Sequence, residues 1–244
     1  MSRSQLEHII RAAGAILGED DVVIIGSQAV LGTIPNPPRS VMRSNEVDIA
    51  AWIDPTDEKA MSVNGALGEG TQFHSSFGYY AEGVSLQSLP RLPRGWVDRA
   101  IRVSTPNTTG VAGWCPEPHD LCISKLLARR PKDREFTEAL VGAGMVTGAG
   151  LLDALADTDV TPEERLYLLG MVKRVTRPGR HNALRRRLKV ELKEAEEIVA
   201  RVKAQHVAEG HSPGALGAGV IVVTPYRRKN GTVVRGYRRR RPGG

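Results

Sequence analysis

Residues 22 to 25, Val-Val-Ile-Ile, form an apolar run too short for a helix and closed at its far end by Gly26-Ser27. Such a run reads as a short buried strand, and a buried strand commits the chain to a sheet with other members. The Gly-Ser that follows is a common turn. At a junction of strand and helix, however, a glycine lets the backbone approach a ligand closely, a serine adds a hydroxyl, and the next helix offers unpaired N–H groups suited to phosphate. Further on, Glu46 and Asp48 open a second β-prone run, 46 to 53. Residues two apart on a strand leave the same face, so these carboxylates are neighbours, with Ala50 and Trp52 continuing their face and Ile49 and Ala51 opposite. Neighbouring carboxylates repel unless a cation neutralises them, and a shared divalent metal such as Mg²⁺ beside a triphosphate is the usual resolution. The plainer account is the wet end of an edge strand.

Around these two runs helix and strand alternate. Leu6, Ile9, Ile10, Ala13, Ile16 and Leu17 recur at helical spacing up to Gly18, which predicts an opening amphipathic helix. Ser27 to Leu31 reads as the start of a second helix, and a third is expected from Asp54-Pro55-Thr56 to about Leu67. Tyr79 to Val84 and Ala100 to Val103 read as further strands. Residues 1 to 115 therefore suit an α/β domain. From His119 to about Ala208 the period is helical, with breaks near Arg130-Pro131, from Gly142 to Gly150 and at Pro178-Gly179. The expected organisation is an α/β domain over 1–115, a helical domain over 116–209 and a tail over 210–244.

The net charge of +7 belongs to that tail. From Gly210 to Gly244 there are eight Lys or Arg and no acidic residue, so taking these eight from the 34 basic residues leaves 26 against 27 acidic, a body at −1. A concentrated basic end suits a polyanion such as nucleic acid, and equally a solvated end. Within it Asn230-Gly231 signals a hairpin. A two-residue turn there pairs Tyr226 with Arg235 and Thr224 with Tyr237, setting Tyr226, Arg228, Arg235 and Tyr237 on one face; with Arg227, Lys229 and Arg238 nearby, this is a surface for stacking bases and neutralising phosphates. No apolar run approaches the roughly 18 residues of a membrane span, and the N-terminus reads as a helix rather than an export signal. Two cysteines, Cys115 and Cys122, are too few for a disulfide scaffold and lack partners for a zinc site, which fits a reducing cytoplasm.

Strand, Gly-Ser, helix and carboxylate-x-carboxylate, in that order over residues 22 to 53, resemble the nucleotidyltransferase superfamily that includes DNA polymerase beta. The stretches "PHDLCISKLLARRPKDREF" (118 to 136) and "FGYYAEGVS" with "LPRGWVDR" (77 to 99) are similar to bacterial nucleotidyltransferase-like proteins related to abortive-infection and toxin–antitoxin transferases. The resemblance implies a small mixed-sheet nucleotidyltransferase core followed by a helical domain and a basic C-terminal hairpin or tail. It implies that Gly26 and Ser27 hold a nucleoside triphosphate, that Glu46 and Asp48 hold Mg²⁺ or Mn²⁺, and that Lys125 and Asp133 belong to the active site. The implied partners are the triphosphate, an RNA acceptor and an antitoxin-like protein. Glu46 stands where Asp is commoner in the family, and this favours a second reading, a catalytically weak fold serving as a nucleic-acid-binding module.

The residues themselves agree for Lys125, whose helical neighbours Leu121, Cys122 and Ala128 set its stem across a largely apolar face; a snorkelling surface lysine is the alternative. Asp133 is placed to meet Lys125 or Arg129, or to cap a helix beginning near Lys132. Glu82 is available as a third metal carboxylate if its strand neighbours 46 to 53, although an exposed strand glutamate explains it more plainly. His74, His119 and His181 have no partners at metal spacing, and Trp96 and Trp114 read as core or domain-junction residues.

Overall fold

The computed structural model describes the chain apart from residues 35, 87–90, 178–181, 209–219, 224–225, 228–232, 235–236 and 241–244. Helix α1 (Arg3–Leu17) opens with a reciprocal cap between Ser2 and Gln5 and stops at Gly18, in the left-handed region at φ 64°. Its apolar stripe, Leu6, Ile9, Ile10 and Ala13, is fully buried. Strand β1 (Asp21–Ile25) follows. The expected second helix does begin at Ser27, as a 3-10 turn over Ser27–Ala29 that leads into the single turn α2 (Val30–Thr33). Strand β2 (Glu46–Ala50) ends three residues before the predicted boundary. Helix α3 (Glu58–Leu67) starts four residues after Asp54, whose carboxylate still accepts from the N–H groups of Lys59 at 3.2 Å and Ala60 at 2.8 Å.

A short α4 (Gln72–Phe77), not anticipated from the sequence, leads into β3 (Tyr80–Gly83). Then come α5 (Trp96–Arg99), β4 (Ile101–Val103) and β5 (Ala112–Cys115), the last also unanticipated because Ala-Gly-Trp-Cys carries little β signal. The strands form one mixed five-stranded sheet in the order β3-β2-β1-β5-β4. β1 is antiparallel to β2 and parallel to β5, and β2 is parallel to β3. This is the predicted α/β class with a small mixed-sheet core.

Register assigns the two faces. Val22, Ile24, Val47, Ile49 and Ala81, all buried, share the face beneath α1 and α3. There Gly113 has Ile10 and Ile24 where a side chain would project, and Gly83 has the carbonyl of Ala60. On the other face Val23, Ile25 and Ala50 lie under Trp52, Val84, Leu86 and Trp96. Trp52 stacks on Trp96 at 5.8 Å and meets Trp114 edge-on at 6.2 Å, so Trp114 is a core residue and the half-buried Trp52 and Trp96 pack over the core. The same row of β2 continues to Asp48 and Glu46, where this aromatic cover ends.

Helices α6 (Pro118–Leu127), α7 (Pro131–Gly142), α8 (Gly148–Ala156), α9 (Pro162–Thr176) and α10 (Ala183–Ala208) supply the helical part, with breaks at Arg130-Pro131 and in the glycine-rich stretch as read. The chain divides into two compact units, Met1–Asp159 with Met171–Pro178, and Val160–Gly170 with Gly179–Gly244. In the second, Glu191 of α10 accepts from Arg165 and Arg187 at 3.1 and 2.8 Å. The tail carries β6 (Val220–Val223) antiparallel to β9 (Tyr237–Arg240), and β7 (Tyr226–Arg227) antiparallel to β8 (Val233–Val234). The register differs by one residue from the expected hairpin: Tyr226 pairs with Val234, not Arg235, and Tyr237 with Val223, not Thr224. A one-residue slip exchanges the faces of a strand, so this pairing does not set the residues of the expected hairpin face opposite one another. Arg228, Lys229, Arg235 and the Asn230-Gly231 turn lie outside the described residues, as does His181. Among the described residues no helix is long and apolar enough to cross a membrane.

Candidate active site

Strand pairing places Asp48 beside Ile25 of β1 and Glu82 of β3, with Glu46 one rung away beside Tyr80. The pleat sends Glu46, Asp48 and Glu82 to one face, and their carboxylates offer oxygens within 4.8 Å of one another. Glu82 is an exposed strand residue, as the sequence most plainly suggested, and it also completes the cluster of three that the sequence offered as the alternative. The parallel pairing of β2 with β3 decides this, and nothing local to residue 82 announces it. Burial and the negative charge of Glu46 push the Asp48 carboxyl up from its ordinary value, with Lys125 and Arg130 pulling it down. Burial and contact with Glu46 likewise raise Glu82, opposed by Lys132. Carboxyls raised by one another's presence are a donor set short of positive charge, and three carboxylate oxygens suit a hard divalent cation.

The Gly-Ser turn closes on the same point. Gly26 sits at φ 70°, ψ −164°, a region essentially reserved for glycine. A Cβ there would come within 1.6 Å of Asp48 Oδ2, so the backbone of the turn lies directly against the carboxylate. Ser27 begins the 3-10 turn and is half-buried. Behind it Gln28 is fully buried, with neither amide atom hydrogen-bonded, a feature the sequence reading did not single out.

Cationic groups come from α6 and α7. Glu117 caps α6, accepting from the N–H groups of His119 and Asp120 at 2.8 and 3.4 Å. His119 has a structural role as well, since its Nε2 accepts from the Thr147 N–H at 3.0 Å, tying α6 to the cap of α8. Lys125 occupies the last turn of α6 and is 8% exposed. Arg129 closes the helix at φ 61°, and Pro131 keeps Arg130 extended and then starts α7. This tight reversal brings Asp133, in the first turn of α7 and 1% exposed, against Lys125 Nζ at 3.2 Å. Asp133 also accepts from Arg130 Nε and Nη2 at 2.5 and 3.3 Å. Arg130, which the sequence marked only as part of a helix break, is therefore the guanidinium on Asp133, in the place expected of Arg129. Burial lowers the Lys125 pKa, while Asp133 works to keep the ammonium charged. Phe136 lies under it, 4.8 Å from Nζ to the ring centre, a favourable place for a cation.

Gly26, Ser27, Glu46, Asp48, Lys125 and Asp133 thus belong to one compact unit. There the Gly26 turn abuts Asp48, and the charges of Lys125 and Arg130 act on its carboxyl. The expected nucleic-acid residues, Tyr226, Arg227, Tyr237 and Arg238, fall in the second unit. Clustered carboxylates under the influence of nearby cations, with a glycine turn against one of them, can hold a metal ion and a polyphosphate together. No curated protein and no solved structure matches the chain. A family model described as "Nucleotidyltransferase of unknown function (DUF6036)" matches residues 4–161, well over half of the chain and every position of this site, and the chain belongs to that family.

Proposed function

We propose that the chain is a divalent-metal-dependent transferase that moves a nucleoside monophosphate from a nucleoside triphosphate to an acceptor hydroxyl, with release of pyrophosphate. The observation that carries this is the closure of the Gly26 turn onto Asp48 within a three-carboxylate cluster under the influence of Lys125 and Arg130. Glu46, Asp48 and Glu82 would hold Mg²⁺ or Mn²⁺, which supplies charge neutralisation at the phosphates during transfer. The chain's own groups do the positioning. The Gly26–Ser27 backbone and the Ser27 hydroxyl take phosphate oxygens, and Lys125 and Arg130 offset the remaining negative charge. Asp133 keeps those two cations close together and oriented, the kind of preorganisation that makes charge stabilisation effective in a water-poor site.

RNA is the acceptor class that best fits a chain whose excess positive charge lies in a separate basic end, and a toxin-like role in the cytoplasm with an antitoxin-like partner completes the reading. The second reading, a binding module without transfer, rests on Glu46 in place of Asp. Incubating the protein with labelled nucleoside triphosphates, Mg²⁺ and total cellular RNA separates the two: label in RNA supports the transferase. Asp48→Asn should abolish that transfer while leaving thermal stability unchanged or slightly raised, since it removes one charge from a mutually repelling cluster. Transfer at the wild-type rate by Asp48→Asn would overturn the site.

A further inference from the structure

A glutamate on a given Cα carries its carboxylate about 1.5 Å further than an aspartate does, by one C–C bond length, and it has an additional torsion to order. For Glu46 to present oxygen at a fixed point beside Asp48 and Glu82, something has to hold it. The structure supplies that partner. Tyr80 is the in-register neighbour of Glu46 across the parallel β2–β3 pair, and its hydroxyl donates to Glu46 Oε2 at 2.9 Å. The phenol is itself held. Its backbone N–H donates to the Asn45 carbonyl at 2.9 Å, and the His74 ring packs on its ring at 4.8 Å. His74 is fixed in turn, because its Nδ1 accepts from the Gly70 N–H at 3.0 Å. With Oε2 engaged on the side of Tyr80, Oε1 and the second lone pair of Oε2 stay available towards the other two carboxylates.

We propose that Tyr80 is a positioning residue for divalent-metal binding, which allows a glutamate at position 46 to ligate where a shorter side chain would otherwise be required. This rests on the reading of Glu46, Asp48 and Glu82 as metal ligands. Partners that orient a metal ligand typically contribute 10- to 100-fold in metal affinity, and one neutral phenol belongs at the low end of that range.

Titration of the full chain with Mn²⁺, followed by calorimetry and by the electron paramagnetic resonance of free Mn²⁺, tests it on four proteins: wild type, Tyr80→Phe, Glu46→Asp and the double variant. Tyr80→Phe keeps the ring and its His74 contact, so the metal-free melting curve should match wild type while Mn²⁺ affinity falls about tenfold. In the Glu46→Asp background, where the carboxylate no longer reaches the phenol, adding Tyr80→Phe should change affinity little. Equal affinities for wild type and Tyr80→Phe would overturn the role of Tyr80 alone, as would an undiminished effect of Tyr80→Phe in the Glu46→Asp background. Failure of wild type to bind Mn²⁺ would overturn the metal reading and this inference with it.

Discussion

Gly26 is where backbone conformation and chemistry meet. Its φ and ψ lie in a region that costs a side-chain-bearing residue about 1–3 kcal/mol, and the atom that an added Cβ would strike is Asp48 Oδ2. An aspartate oxygen can swing aside, so the clash itself is cheap for the fold and expensive for the site. Gly26→Ala should lose about 1–3 kcal/mol of stability and suffer a larger loss in nucleotide transfer than that destabilisation explains. Denaturant melts alongside transfer assays at a temperature where the variant stays folded would check it. Gly32 makes an instructive contrast: a Cβ there would meet Cys115 Sγ at 2.3 Å, a packing conflict beneath α2, away from the chemistry. The sequence marks both as glycines. Only the contacts tell that one guards a carboxylate and the other a thiol.

Between elements, the supports of the site are ordinary packing devices. α1 meets α4 and the start of β3 through His8, whose ring lies 4.6 Å from Phe77 and 5.2 Å from Phe73 and whose Nδ1 is 2.7 Å from the Tyr79 hydroxyl. Burial, with a smaller contribution from Arg11, lowers the His8 pKa below its ordinary 6.5. The unfolded chain therefore binds the proton more readily than the folded one between the two values. Stability rises with pH across that window, is fully present above 6.5, and is lost as pH falls towards the folded value. Denaturant unfolding at pH 7.5 and 5.5 should show a smaller acid loss for His8→Phe than for wild type; equal losses would remove His8 from the account. The α6–α7 reversal works similarly by local rule. Arg129 closes α6 in the left-handed region, Pro131 starts α7, and Lys125 and Asp133 meet as a result.

At the scale of the whole molecule, charge is divided along the chain. The candidate site lies in a body of net −1, and the eight excess positive charges lie beyond residue 209. Deleting residues 210 to 244 should leave the five-stranded sheet intact, because none of its strands comes from that segment. It should also weaken RNA binding broadly across sequences and flatten its dependence on salt, since each phosphate neutralised contributes to the salt slope. Filter binding of intact and truncated protein across a salt series reads this directly. Unchanged affinity with an unchanged slope would place RNA elsewhere on the protein.

Covalent geometry and short-range pattern carry far. Helical spacing marked α1, the Val-Val-Ile-Ile run marked β1, and the alternation of a pleated strand was enough to put Glu46 and Asp48 on one face before any partner strand was known. Proline and glycine marked the breaks between α6, α7 and α8, and the neighbours of Lys125 set its stem across a largely apolar face, with a snorkelling lysine as the alternative. These are relations among residues a few positions apart, where the backbone itself dictates who is adjacent. Glu82 was legible only as an option that hung on which strand paired with β2, and Tyr80 and Arg130 were beyond that reach, as were β5 and the register of the tail strands. Glu82 and Tyr80 enter the site because β3 chose β2 as a parallel neighbour in one register, and β5 became central because it inserted beside β1. Strand partners and register are settled by burial and hydrogen bonding summed over the whole sheet, between segments separated by tens of residues. What the sequence by itself determined is the pair of carboxylates on one strand face and the glycine turn; the tertiary structure decided that the lysine is buried and which third carboxylate, which phenol and which guanidinium join them, because those depend on contacts between distant segments.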